Sequence, residues 1–334
     1  MFSSRTSRAL AGITAAVALT LTACSSGSGS SSSDASGSDN AGGESYSIGI
    51  NQLVQHPALD AATAGFKEAF DEAGVDVTFD EQNANGEQST ALTIAQQFAN
   101  SNKDLVLAVA TPAAQATAQN ITTLPVLFTA VTDAESADLV ESNDAPGGNV
   151  TGTSDAAPID AQLELLKQLV PDAKSVGIVY ASGEVNSQVQ VDAVKEAAGP
   201  FDLEVKTQTV TTVNEIQQAV EALGDVDAIY VPTDNMVVSG IASLIQIAEQ
   251  KQIPVIGAEA GTVEGGAVAT LGIDYRELGR QTGEMALRIL QDGADPATMP
   301  VETATEFSYI INEDAATRQG VTIPAEILSE AETV

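Results

Sequence analysis

Asp104-Leu-Val-Leu-Ala-Val-Ala110-Thr111 and Asp227-Ala-Ile-Tyr-Val-Pro232-Thr233 are the two stretches that determine the predicted fold. Each is a short apolar run that begins after an aspartate and ends at a threonine. A continuous apolar run of this length is typical of a parallel strand that helices cover on both faces. Because the two runs are alike and lie far apart in the chain, they predict two sheets of the same design.

The segments around these runs alternate between strand-like and helical patterns. Ser47-Ile-Gly-Ile50 and Ser175-Val-Gly-Ile178 begin two such series, and a segment with apolar residues at helical spacing follows the first of them. Strands that alternate with helices form parallel sheets. The sequence therefore predicts an α/β protein with two doubly wound parallel-sheet lobes, because its folded part exceeds the ~250 residues that one core usually serves.

Residues 1–23 have the pattern of an export signal. Arg5 and Arg8 precede an apolar run that is too short to span a bilayer. The run ends in Leu-Thr-Ala before Cys24, the one cysteine of the chain, and these residues resemble a bacterial lipobox, in which the cysteine is lipidated. Residues 24–45 are rich in Ser and Gly, which predicts a flexible linker. We therefore expect an extracytoplasmic protein with a lipid anchor at Cys24; the alternative is an ordinary signal peptide.

The charge balance and the scarcity of reactive side chains argue against several functions. The formal net charge is −33, and such a surface repels nucleic-acid phosphates. Because His56 is the one histidine, a catalytic triad would depend on that residue, and a His/Cys metal site is not expected. The sequence therefore predicts no catalytic residue, no metal, no cofactor and no nucleic-acid partner. We interpret the acidic excess as a solubility feature.

Short polar side chains follow the predicted strands at the edge where parallel sheets bind ligands. Six such junctions carry small polar or acidic residues, and none of them carries Lys or Arg. A phosphate would call for a cationic side chain, whereas one carboxylate can be held by hydroxyls and the N–H groups of a helix N-terminus. Thr111 before Pro112-Ala-Ala114 has this design.

Acidic side chains at other junctions can pair with an ammonium group. The candidates are Asp155, Asp234 and Glu259. A buried ligand with one carboxylate and one ammonium needs both charges paired, so the junctions favour an amino acid. The alternative for each of these residues, taken singly, is a helix cap.

Several motifs, taken together and in this order, resemble a known family. They are Gln52…His56-Pro-Ala-Leu-Asp60, Ala110-Thr-Pro-Ala-Ala-Gln115, Pro146-Gly-Gly-Asn-Val-Thr-Gly152, Tyr230-Val-Pro-Thr-Asp-Asn235 and Leu271-Gly-Ile-Asp-Tyr275. The chain resembles ABC-transporter substrate-binding lipoproteins of the group that includes binders of tryptophan and other aromatic amino acids. The resemblance implies a periplasmic-binding-protein type I fold with three crossovers between the lobes. It places lobe 1 at 46–152 and 274–304 and lobe 2 at 153–273 and 305–328.

The resemblance also implies the ligand contacts and the partners. Carried over position by position, the ligand contacts are Gln52, His56, Thr111, Ala113, Ala114, Thr129, Ser154, Asn186, Asp234 and Glu259. Phe128, Tyr180 and Tyr230 are candidates for contacts with a ligand ring. The loop Gly257-Ala-Glu-Ala260 departs from the family, which often has Ser with Asp or Glu there. The implied partners are an ABC permease and its ATPase subunits, and the receptor is expected to be a monomer.

The function that follows is a non-catalytic receptor that binds a small zwitterion, an aromatic or large apolar amino acid, between its lobes. Two alternatives share parts of the pattern. A receptor for a sugar or nucleoside would have the same fold, with more aromatic stacking and more Asn, Asp and Arg in the cleft. A surface hydrolase on a doubly wound domain would need His56 or a carboxylate pair as its catalytic group.

Overall fold

The structure is a computed structural model, and it describes residues 45–334. The predicted signal peptide at residues 1–23, the lipidation of Cys24 and the linker up to residue 44 lie outside the described residues. The first strand of the described part begins at Ser45, one residue before the predicted start of lobe 1. No helix between residues 45 and 334 combines the length and the apolar character that crossing a bilayer requires.

The described residues form strands that alternate with helices along most of their length. The strands are β1 Ser45–Gln52, β2 Asp76–Asn83, β3 Leu105–Val109, β4 Val126–Val131, β5 Val150–Ser154, β6 Ser175–Ala181, β7 Glu204–Val210, β8 Ala228–Val231, β9 Val255–Gly257, β10 Ala269–Gly272, β11 Glu302–Thr303, β12 Ser308–Ile311 and β13 Glu332–Thr333. The helices are α1 Pro57–Ala73, α2 Gln88–Ala99, α3 Thr111–Asn120, α4 Ile159–Leu169, α5 Val185–Ala197, α6 Ile216–Ala222, α7 Asn235–Ser239, α8 Ile241–Lys251, α9 Ala260–Glu264, α10 Tyr275–Asp292, α11 Glu313–Arg318 and α12 Ala325–Glu330.

The strands make two sheets, one in each lobe. The first has the order β11-β5-β4-β3-β1-β2 and the second β13-β12-β10-β9-β8-β6-β7. All neighbours pair in parallel except β10 and β12, which are antiparallel. This arrangement confirms the predicted α/β class with two doubly wound lobes.

Sheet membership differs from the predicted lobe limits in two places. Thr153 and Ser154 were predicted for lobe 2, but they pair with β11 in the first sheet. Glu332 and Thr333 lie beyond the predicted end of lobe 2 at residue 328, and they pair with β12 in the second sheet. The chain crosses between the sheets after β5, after β10 and between β11 and β12.

Apolar strands lie at the centre of each sheet. Every residue of β3 is buried, as a strand covered by helices on both faces requires. In lobe 1, the rings of Phe66, Phe70 and Phe79 meet edge to face, with centroids 5.3 to 6.3 Å apart. Helices α1 and α10 cross so closely that a Cβ on Gly279 would lie 1.9 Å from the carbonyl oxygen of Ala62. This contact holds α10, which follows a crossover, against the helix that follows β1.

Candidate ligand-binding site

A small cavity lies between the lobes, at the carboxyl ends of the parallel strands. Its wall is made of His56, Ala58, Leu59, Ala130, Asp155, Thr233, Asp234, Asn235, Val238, Glu259 and Tyr275. The closed cavity is narrow, with a volume of about 10 Å³, which is space for about one water molecule. Small-molecule sites usually begin near 300 Å³, so the lining residues must move apart before a small molecule fills the cavity. Two larger depressions also border both lobes, one beside Thr132, Ser154 and Gln190 and one beside Ala58, Gly261 and Tyr275, but neither gathers so many buried carboxyl groups.

The two lobes touch each other around the cavity. The hydroxyl groups of Thr132 in lobe 1 and Thr233 in lobe 2 are 3.1 Å apart. The side chain of Gln88 donates to the carbonyl oxygen of Gly183 across the same junction at 3.2 Å. These contacts describe a closed arrangement, in which the lobes enclose the cavity.

Three buried carboxyl groups line the cavity. Asp155, Asp234 and Glu259 are 5%, 0% and 2% exposed, and no Lys or Arg is among the lining residues that the structure describes. Burial away from water raises the pKa of each of these carboxyl groups above its ordinary value. A cation that entered the cavity would lower the pKa of these carboxyl groups again and so stabilise their charged form.

Asp155 retains capacity to bind a further donor. It follows β5 on the first crossover, and each of its carboxylate oxygens accepts one hydrogen bond from lobe 1. Oδ1 accepts from the hydroxyl of Thr132 at 3.0 Å, and Oδ2 accepts from the hydroxyl of Tyr275 at 2.8 Å. A carboxylate has about four acceptor sites, so two remain.

Asp234 and Glu259, by contrast, cap short helices. The carboxylate of Asp234 accepts from the N–H of Val237 at 2.7 Å, the N–H of Ala181 at 2.6 Å and the hydroxyl of Ser187 at 2.7 Å. These bonds fix the start of α7. Glu259 accepts from the N–H of Gly261 at 2.8 Å and so begins α9. Both side chains reach the cavity, but most of their acceptor capacity serves the fold.

The N-terminus of α3 lies beside the cavity. The N–H of Ala110, directly before α3, donates to the carbonyl oxygen of Thr129 at 3.1 Å. Ala130, which follows Thr129 in the chain, lines the cavity. Ala110 has φ 79° and ψ 152°, a conformation that residues with a side chain rarely adopt, and such strain is often kept at binding sites. The buried hydroxyl of Thr111 has no hydrogen-bond partner within residues 45–334. The first N–H groups of a helix also lack intrahelical acceptors, so an anion can bind here.

His56 stands at the start of α1 with its ring against lobe 2. Its Nε2 lies 3.5 Å from Oδ1 of Asn235, and its buried Nδ1 has no partner in the described part of the chain. Burial lowers the pKa of His56, although the hydrogen bond with Asn235 and the carboxylates of Asp60 and Asp155 act in the opposite direction. The ring is therefore neutral near pH 7.

The structure brings only part of the predicted contact set to the cavity wall. His56, Asp234 and Glu259 line it. Thr111, Ala113 and Ala114 form the first turn of α3 beside it.

Four predicted contacts have structural partners elsewhere. Gln52 binds Asp60 and Thr63 and so fixes the start of α1. The hydroxyl of Thr129 accepts from Thr153 within lobe 1. Ser154 donates to the carbonyl oxygen of Thr132, and Asn186 donates to that of Thr233. None of the four lines the closed cavity. Sequence position alone does not show whether a side chain near the end of a strand points into its own lobe or between the lobes, and the four predictions missed for this reason.

The predicted ring contacts also lie outside the cavity wall. Phe128 and Tyr230 are fully buried in the cores of the lobes, and the hydroxyl of Tyr230 donates to Gln162 at 2.6 Å. Tyr180 packs in the core of lobe 2. Tyr275, which sequence reasoning missed, is the aromatic residue among the described lining residues.

Other lining residues were missed although a signal was present. Thr233 and Asn235 flank the predicted Asp234, and Asp155 was recognised as an ammonium candidate without being carried into the contact set. Ala58 and Leu59 lie on the first turn of α1, where the sequence alone assigns them to the core.

Among residues 45–334, no group of three or more His, Cys, Asp or Glu side chains is arranged to hold a metal ion.

Comparison with known proteins gives matches to one family model and to several relatives. The family model for ABC transporter substrate binding proteins matches residues 47–334. A tyrosine-binding protein from Clostridioides difficile (strain R20291) is 43% identical over 273 residues, which make up 80% of this chain and 79% of that protein. The structure of an ABC domain in complex with L-Trp from Streptococcus pneumoniae is 38% identical, covers 87% of this chain and 100% of its own, and has a TM-score of 0.84.

A ligand-free relative is informative because it superposes less well. The ligand-free, open structure of a substrate binding protein from Clostridium difficile is 44% identical and covers 86% of this chain and 99% of its own, but its TM-score is 0.68. The less identical L-Trp complex superposes better, at 0.84. The lobes here are therefore arranged more as in that ligand complex than as in the open form, in agreement with the contacts across the cavity.

Proposed function

The chain belongs to the family of ABC transporter substrate-binding proteins, and from this premise we propose that its ligand is an amino acid with an aromatic or large apolar side chain. Receptors of this family work outside the cytoplasmic membrane and deliver small molecules to a permease that an ATPase drives. The resemblance found in the sequence is thus confirmed.

One observation carries the proposal: a closed cavity that contains three buried carboxyl groups and no cationic side chain among its described lining residues. A buried carboxylate without a partner costs several kcal/mol, and a cationic ligand group offsets that cost. Neutral sugars bring no such group. An amino acid brings an ammonium and, at its other end, a carboxylate.

Asp155 is the group that binds the ammonium in this proposal. Its two oxygens have acceptor sites left, whereas Asp234 already accepts three hydrogen bonds. Asp234 and Glu259 add negative potential from lobe 2. The ligand ammonium thereby interacts with charges on both sides of the junction, which favours the closed state.

The N-terminus of α3 receives the ligand carboxylate. The hydroxyl of Thr111 has no partner among residues 45–334, and the N–H of Ala113 lies in the first turn of α3, where helix N–H groups lack intrahelical acceptors, while Pro112 contributes no N–H. The small side chains of Ala113 and Ala114 pack in the core of lobe 1. The ligand carboxylate carries a single negative charge, which hydroxyl and helix N–H donors can stabilise without a cationic side chain.

The apolar part of the cavity takes the ligand side chain. Ala58, Leu59 and Val238 supply aliphatic surface, and the ring of Tyr275 supplies an aromatic one. Two relatives support an aromatic ligand: one is named a tyrosine-binding protein, and one was solved with L-Trp. The protein acts without chemistry on its ligand in this proposal, and its function ends with transfer to the permease.

The remaining parts of the proposal concern the N-terminal region and the assembly. Residues 1–23 act as a lipoprotein signal, Cys24 carries the lipid that anchors the protein to the membrane, and the receptor is a monomer. Mass spectrometry of the mature N-terminus tests the anchor: a diacylglyceryl-modified Cys24 supports it, and a mature chain that begins elsewhere without lipid contradicts it.

Calorimetric titration tests the ligand assignment. We expect L-tyrosine and L-tryptophan to bind with one site per chain and D-glucose not to bind. Asp155→Asn should weaken amino-acid binding by about 100-fold or more, because the ammonium loses its charged partner. The matched control is Asp172→Asn, which neutralises an exposed aspartate and should leave the affinity unchanged. Equal affinities of wild type and Asp155→Asn would contradict the assignment of this residue.

A further inference from the structure

His56 occupies a helix N-cap position without acting as a cap. Helix caps are usually Ser, Thr, Asp or Asn, whose side chains accept from the first turn. The side chain of His56 makes no such bond to α1. It turns to lobe 2 instead, lines the cavity and leaves Nδ1 buried with no partner within the described residues. The histidine at this position is therefore not explained by the helix that it begins.

The neighbouring side chains determine which ring nitrogen carries the proton. Asn235 donates its Nδ2 to Glu184 Oε2 at 2.6 Å, which fixes the amide with Oδ1 facing His56. Because Oδ1 can only accept, the nearby Nε2 of the neutral ring is the nitrogen that bears hydrogen. Nδ1 is then a lone-pair acceptor, buried beside the cavity and unpaired.

An unpaired acceptor in a binding cavity selects a ligand that brings a donor. We infer that His56 is a specificity-determining residue, whose Nδ1 accepts a hydrogen bond from a donor on the ring of the ligand side chain. The donor is the O–H of a phenol, as in tyrosine, or the N–H of an indole, as in tryptophan. The ring of phenylalanine has no such donor. This inference rests on the proposed amino-acid function and adds to it the reason why one aromatic ligand is preferred over another.

The size of the expected effect follows from the cost of leaving a buried acceptor unpaired. A site built to bind a ligand hydroxyl or N–H rejects the analogue that lacks it far more strongly than an apolar pocket rejects a missing methylene. For one neutral hydrogen bond, we expect L-tyrosine to bind about 10- to 100-fold more tightly than L-phenylalanine.

The test compares L-tyrosine with L-phenylalanine on wild type and two variants by calorimetry. His56→Leu keeps much of the volume and removes the acceptor, so the preference for tyrosine should fall to within about 3-fold, through weaker tyrosine binding. His56→Asn places an oxygen near the position of Nδ1 and should retain part of the preference. Gln55→Ala, at an exposed neighbouring position, should retain all of it.

Three other results of this titration would contradict the role of His56, and they differ in what they imply for the proposed function. Equal binding of tyrosine and phenylalanine by wild type overturns the inference and leaves the amino-acid receptor intact. A His56→Leu variant that loses affinity for both ligands by the same factor also overturns it, because His56 would then contact the ligand main chain. If no amino acid binds wild type at all, the proposed function fails, and the inference fails with it.

Discussion

The buried carboxyl groups of this cavity differ in function, because they differ in how many hydrogen bonds each already accepts from the protein. Asp155 accepts two side-chain hydrogen bonds, and Asp234 accepts three, two of them from backbone N–H groups. A residue that satisfies buried backbone donors is needed by the unliganded fold, whereas one with free acceptor sites is available to a ligand.

The first prediction concerns Asp234. Replacing it in Asp234→Ala leaves the N–H groups of Ala181 and Val237 and the hydroxyl of Ser187 without their acceptor. We expect the free energy of unfolding of the unliganded protein to fall by about 2 kcal/mol or more. Urea unfolding without ligand measures this. A variant as stable as wild type would show that Asp234 does not support the fold in this way.

The second prediction concerns the strained residue before α3. Ala110 has a φ of 79° and a ψ of 152°, which glycine adopts without steric cost. Ala110→Gly should therefore stabilise the protein by roughly 1 kcal/mol, since relief of strain outweighs the greater freedom of glycine in the unfolded chain. Thermal unfolding measures the change. A lower melting temperature would mean that the backbone here is not strained.

At the scale of secondary-structure elements, the crossing of α1 and α10 determines how lobe 1 is built. Gly65 and Gly279 let the two helix backbones touch, and a Cβ on Gly65 would lie 1.8 Å from the carbonyl oxygen of Arg276. Gly279→Ala should force the helices apart and cost about 2 kcal/mol or more. The control Gln291→Ala, on an exposed position of α10, should change stability by less than about 0.5 kcal/mol. Equal stabilities of the two variants would contradict the close crossing.

Helix α7 starts on a buried pair of carboxyl groups, Glu184 and Asp234. Glu184 accepts from the N–H groups of Asn235 and Met236, and burial with the nearby charge of Asp234 raises the pKa of Glu184 from 4.5 to about 7. A folded-state pKa above the unfolded one means that the contribution to stability is full below about pH 4.5 and is lost as the pH rises through about 7. Asp155, Asp234 and Glu259 act in the same direction.

The corresponding prediction compares the unliganded wild type with Glu184→Gln at pH 5 and pH 7.5. Wild type should lose stability between these values, and Glu184 alone contributes on the order of 2 kcal/mol of that loss. The glutamine variant does not titrate, so its loss should be smaller, whatever its absolute stability. Melting temperatures at the two pH values measure this, and identical losses in both proteins would contradict the role of Glu184.

Sequence reasoning predicted the elements better than it predicted the contacts. The apolar runs predicted β3 and β8 to within a residue or two, because a strand buried on both faces has no polar alternation. Strand-end polar residues could be located but not oriented. Thr129 lies near the end of β4 and His56 follows β1, yet the hydroxyl of Thr129 turns into the lobe and the ring of His56 turns to Asn235. Tyr275 belongs to a motif of the family resemblance, but it was not assigned to the site, because its place at the cavity depends on a crossover that only the folded chain defines.

At the scale of the whole molecule, closure of the two lobes brings cavity residues from both of them together. Lobe 1 supplies Asp155, the first turn of α3 and His56, and lobe 2 supplies Asp234, Glu259 and Asn235. The direct contact between Thr132 and Thr233 and the bond from Gln88 to Gly183 exist only when the lobes are together. These few neutral contacts are weak, so a ligand charge that pairs with both lobes has a large effect on the equilibrium between open and closed forms.

Small-angle X-ray scattering of the purified protein with and without L-tyrosine tests the central claim most directly. We predict that the unliganded protein populates an open form and that L-tyrosine reduces the radius of gyration, while D-glucose at the same concentration does not. Asp155→Asn should fail to close under the tyrosine concentration that closes wild type. Closure by glucose and not by any amino acid would contradict the claim that the two lobes enclose a zwitterion.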